Sequence, residues 1–154
     1  MGEVRIIEVE NRLAKILSGL GGASTNELVR DADQNVEDMG DQIREFVKEN
    51  LAPLLTYAGK GEDVLFAESR TIGKHARNIA EVAGAAGMEG IGEVARGISC
   101  MIDNLGSSGL WHTDALKLHL DSLLLLTSSG VPRGEQALIL NRLLTMRQRI
   151  GVVE

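Results

Sequence analysis

Residues 24–55 read STNELVRDADQNVEDMGDQIREFVKENLAPLL, and this run decides the fold. Ser24 followed three residues later by Glu27 is the capping-box pattern that opens a helix. Apolar residues then recur in steps of three and four: Leu28, Ala32, Val36, Met39, Ile43, Phe46, Val47, Leu51 and Leu54. So sustained a stripe predicts one long amphipathic helix with its apolar face on a core. Pro53 has no N–H to give, so it predicts a kink or a fresh turn near the end.

The same period runs outward in both directions. Upstream, Ile6, Val9, Leu13, Ile16, Leu17 and Leu20 predict a first helix, ended by Gly19 to Gly22. Its β-branched start, residues 4–9, leaves an extended conformation open there. Downstream, Gly59-Lys60-Gly61 is a break, and a third helix carries Leu65, Ser69, Ile72, Ala76, Ile79 and Ala83 inward. Gly84 to Gly87 turns into a fourth with Ile91, Val94, Ala95, Ile98, Ile102 and Leu105. After Gly106 to Gly109 a fifth holds Leu116, Leu120, Leu123, Leu124 and Thr127, and stops at Ser128 to Gly130. Pro132 suits a first helical turn, and the last helix holds Ala137, Leu140, Leu143, Leu144 and Met146. Arg147 and Arg149 sit near its C-terminus, where the helix dipole favours positive charge. Short connections between sequential helices predict antiparallel packing, so the expectation is a single all-α antiparallel bundle over residues 1–154.

Composition fits that architecture. Aromatic residues are only 3% of the 154-residue chain, so aliphatic side chains must build the core. A net charge of −6 argues against nucleic acid as a partner. With no basic amphipathic segment it also argues against a membrane surface. The longest apolar run, Leu123 to Leu126, is far short of a span, and the N-terminus has no signal-peptide pattern. The cytoplasm is the expected compartment. The one cysteine, Cys100, lies among Ile98, Met101 and Ile102 and reads as a small core residue. No cofactor fingerprint or phosphate-cradling loop is present. His112 and His119, seven residues apart with no carboxylate at ligand spacing, read as partly buried structural histidines rather than metal ligands.

His75 reads differently. It lies off the stripe set by Ile72, Ala76 and Ile79, in a row with Thr71 and Asn78, so its ring can reach solvent at the edge. Arg70, Lys74 and Arg77 make a basic strip beside it on an otherwise acidic chain. A histidine that accepts a phosphoryl group needs a neutral, accessible ring and nearby cations to hold the charge in flight.

The stretch from Arg77 through Gly87 and Ile91 to Arg96 resembles the centre of histidine-containing phosphotransfer domains. The small residues Val82 to Ala86 precede a turn at Gly87, and Ile91 follows four residues later. The resemblance implies a four-helix phosphotransfer-like core over residues 62–150, with the N-terminal helices over 1–58 added to it. It implies a response-regulator receiver as partner, docked on Arg70, Lys74, Arg77 and Asn78, with His75 as the candidate phosphoryl acceptor. Counted back from Gly87, the family register sets Arg77 at the phosphorylated position, Ala80 at the lysine and Glu81 at the glycine. His75 is then two residues early, a rotation of about 200° on a helix. The resemblance therefore implies either a local shift of register through Gly84 to Gly87 or a degenerate, phosphorylation-dead member.

Within the long helix, Asp38-Met-Gly-Asp-Gln42 is similar to the Asp-x-x-x-Gln element of CheZ-type receiver phosphatases. Residues four apart share a helix face. That similarity implies Gln42 positioning an attacking water and Asp38 orienting a receiver lysine. A third expectation needs neither activity: an inert adaptor that forms a homodimer through the long second helix.

Overall fold

The computed structural model describes residues 24–128 and 131–152. Among them are six α-helices and no strand: α1 (Thr25–Leu55), α2 (Glu62–Ala67), α3 (Ser69–Val82), α4 (Glu89–Ser108), α5 (Thr113–Thr127) and α6 (Arg133–Arg149). The helix expected over Ile6 to Leu20 lies outside the described residues. The chain divides into two compact units, residues 1–37 and 38–154. In the first, the described part is Ser24 and the opening turns of α1. The second holds all the rest.

The capping box forms as the sequence predicts. The Ser24 N–H donates to Glu27 Oε2 at 2.7 Å, and the Glu27 N–H donates to Ser24 Oγ at 3.2 Å. Those bonds, the Ser24 backbone N–H foremost, hold the Glu27 carboxyl below its ordinary range. Farther on, the long stripe departs from expectation. Ile43, Val47, Leu51 and Leu54 join the core, but Leu28, Val36 and Met39 are 59%, 70% and 60% exposed, and Phe46 is exposed too. Hydrophobic spacing fixes which face is apolar; it does not supply a partner for every turn of it. Pro53 lies inside the last turn, and α1 stops two residues later. The chain then tightens, with the Thr56 N–H bonded to the Pro53 carbonyl at 3.1 Å.

The expected third helix is two. Glu68, at φ −95° and ψ 10°, leaves the helical region between α2 and α3. The inward residues keep their phase across the break: Leu65, Ile72, Ala76, Ile79 and Ala83 are all sealed. Small residues let α3 and α4 approach closely. A Cβ on Gly73 would lie 2.9 Å from Ile102 Cγ2, and one on Gly92 would lie 3.1 Å from Ala83 Cβ. After α3 the Ala83–Ala86 segment winds as a 3₁₀ turn and closes on Gly87 at φ 72°. A 3₁₀ turn gains only about 20° per residue over an α-helix, roughly 80° across four residues. That is less than half of the rotation of about 200° that the resemblance implies for His75.

α4 is the central element and packs against α3, α5 and α6. The inward row of α5 is Ala115, Leu116, His119, Leu120 and Leu123, which leaves Leu124 exposed. On α6, Leu143 is buried while Ala137 and Leu144 face solvent. Arg147, near the C-terminus of α6, is buried. Cys100 is half-buried against the core. No helix among the described residues is long and apolar enough to cross a membrane.

Candidate functional site

The site is built on α3, whose buried face Ile72, Gly73, Ala76 and Ile79 fixes the helix against α4. That leaves Arg70, Lys74 and Arg77 exposed, with His75 and Asn78 half-buried at the flank. The flank is closed by Asn50 of α1, a polar residue in the buried row of Val47, Leu51 and Leu54 and only 7% exposed. Asn50 Oδ1 lies 3.0 Å from His75 Nδ1, and Asn78 Nδ2 donates to the same oxygen at 2.9 Å. Asn50 Nδ2 donates to the Phe46 carbonyl at 2.9 Å. Sequence reasoning missed Asn50. Its one visible signal is an amide at a stripe position, where burial demands polar partners.

The three cations of the basic strip differ in their partners. Arg77 donates to Asp103 Oδ1 of α4 at 2.6 Å across the exposed rim of the α3–α4 pair. Arg70 and Lys74 make no ion pair among the described residues. Asn78 Nδ2, for its part, donates to Asn50 Oδ1. Arg77 is held in a surface ion pair with α4.

The other two histidines have Nε2 sealed. His119 is fully buried, its Nδ1–H donating to the Ala115 carbonyl at 2.8 Å. Burial takes its pKa down to about 4; the Ala115 bond opposes this and the Arg147 charge adds to it. Its Nε2 has no hydrogen-bond partner. That nitrogen lies 2.7 Å from where a Cβ on Gly97 would stand, so the α4 backbone closes it off. His112 Nε2 is likewise sealed and without a partner. Among the described residues His75 Nε2 makes no hydrogen bond, and the side chain is half-buried.

On α1, Asp38 and Gln42 are both exposed, one helical turn apart. Beside them Arg44 pairs with Asp41. Gln42 makes no hydrogen bond among the described residues, whereas Asp38 does interact with a neighbour. No group of three or more potential metal-ligating side chains occurs among the described residues.

Comparison with family models, curated proteins and solved structures gives no match. Any functional reading therefore stands on the residues themselves.

Proposed function

We propose that this bundle docks the receiver domain of a response regulator and that His75 accepts a phosphoryl group from it. The observation that carries the reading is the state of the three histidines: His112 and His119 have Nε2 sealed, whereas His75 is half-buried with no hydrogen bond to Nε2 among the described residues. Its lone pair attacks the phosphorus of the receiver's aspartyl phosphate. The N–P bond forms as the P–O bond breaks, and the electron pair leaves on the aspartate carboxylate. Arg70 and Lys74, exposed on the same helix, supply positive charge toward an acidic, phosphorylated surface. The test is to mix the protein with radiolabelled phospho-receivers and follow the label. Label moves onto the wild type and not onto His75→Gln; a His75→Gln variant that labels equally well sinks the assignment.

The exposed Asp38 and Gln42 support a second reading, dephosphorylation of the receiver by a water that Gln42 positions. Label then goes to free phosphate, and Gln42→Ala stops the loss while receiver binding survives. The exposed Leu28, Val36 and Met39 support the adaptor reading. It is the outcome if label stays on every receiver and light scattering finds a dimer.

A further inference from the structure

The orientation of the Asn50 amide is settled by its own partners. Its Nδ2 donates to the Phe46 carbonyl at 2.9 Å, so the opposite placement would set two carbonyl oxygens against each other. Oδ1 therefore faces α3, where it accepts from Asn78 Nδ2 at 2.9 Å and lies 3.0 Å from His75 Nδ1. An amide oxygen has no proton to give. The hydrogen in the His75 contact must come from the ring, which places it on Nδ1 and leaves the lone pair on Nε2. Free histidine in water favours the reverse, with the proton on Nε2.

We infer that Asn50 is a positioning residue for His75: its buried amide oxygen holds the ring with Nδ1 protonated and Nε2 nucleophilic. This rests on the reading of His75 as a phosphoryl acceptor and deepens it, because it brings α1 into a site that the phosphotransfer-like resemblance confines to residues 62–150. When Nε2 forms a bond to phosphorus the ring keeps its Nδ1 proton and becomes an imidazolium. The contact to Asn50 Oδ1 then becomes charge-assisted, which stabilises the product and the transition state leading to it. Asn78 fills the remaining acceptor site of Oδ1, so a rotation of the Asn50 side chain away from His75 would break three hydrogen bonds together.

The experiment uses the full chain and two readouts, neither of which needs a receiver. Long-range proton–nitrogen NMR at alkaline pH identifies which ring nitrogen of His75 carries hydrogen. Phosphoramidate, a small phosphoryl donor whose P–N bond breaks with release of ammonia, gives the rate of phosphorylation and the isomer formed. The wild type shows hydrogen on Nδ1 and phosphate on Nε2. Asn50→Leu shifts the hydrogen largely to Nε2 and slows phosphorylation about fivefold, following the loss of the competent tautomer. Asn50→Asp keeps an oxygen toward His75 and retains the Nδ1 tautomer, while it gives up the bond to the Phe46 carbonyl. A wild-type ring with hydrogen on Nε2 overturns the inference, as does a folded Asn50→Leu with unchanged tautomer and rate. Should Asn50→Leu fail to fold, the wild-type spectrum and Asn50→Asp still decide. Receiver labelling of a protein whose His75 carries hydrogen on Nε2 would remove Asn50 and leave the docking reading intact. A ring held with hydrogen on Nδ1 that no phospho-receiver labels would do the opposite.

Discussion

At Gly97 a hydrogen atom stands where any other residue would bring a carbon into the His119 ring. A Cβ there would meet His119 Nε2 at 2.7 Å, His119 Cδ2 at 2.8 Å and Arg147 Cδ at 3.3 Å. The ring is fully buried and cannot swing aside, so the contact must be relieved by moving a helix. Overpacking of this kind costs about 1–3 kcal/mol, against about 1 kcal/mol that alanine gains over glycine within a helix. Gly97→Ala is therefore expected to lower stability by up to about 2 kcal/mol in urea denaturation. Gly106, in the same helix with nothing within 4 Å of its would-be Cβ, is the control. Gly106→Ala should stabilise by roughly 0.5–1 kcal/mol. Equal and stabilising effects at both positions would show that the His119 ring yields. No periodicity distinguishes these two glycines; the difference lies wholly in what the neighbouring helix puts opposite each.

At the scale of elements, α1 shows how far a hydrophobic pattern reaches. Its stripe was legible from Leu28 to Leu54, and the helix forms over Thr25–Leu55 as that stripe requires. Burial begins only at Ile43 and deepens to complete cover at Val47 and Leu54. Helices draw most of their stability from packing rather than from intrinsic propensity. Amide hydrogens of residues 28–38 should therefore exchange much faster than those of 47–55, although both belong to one helix. Hydrogen-exchange mass spectrometry resolves the two segments. Equal protection would mean that a partner covers the exposed residues in solution, as the adaptor reading requires. The division of the expected third helix at Glu68 was not legible, because Leu65 and Ile72 keep helical spacing across it. Periodicity reports phase, and a single non-helical residue between two short helices leaves the phase almost intact.

For the whole molecule, the buried neutral His119 couples stability to pH. Its native pKa of about 4 lies below the ordinary value of 6.5. Above pH 6.5 the ring is neutral in both states and its contribution is complete. As pH falls from 6.5 toward 4 the unfolded chain takes a proton that the native state refuses, so stability declines; below 4 the loss levels off. Between pH 7 and pH 5 this amounts to about 2 kcal/mol. A His119→Asn variant should lack that part of the slope in urea titrations at the two pH values, and parallel slopes would sink the assignment. Legibility divides along the same physical line. The sequence by itself determined the helical class, the capping box at Ser24 and Glu27, the inward positions of α3 and α4 and the row holding His75. Those properties follow from local spacing along one chain. Only the tertiary structure decided that Asn50 faces His75, that Arg77 is tied to Asp103, that Arg147 is buried beside His119 and that half of the α1 stripe lacks cover. Each depends on which residue of a distant segment stands opposite, and that is set by how helices pack in space.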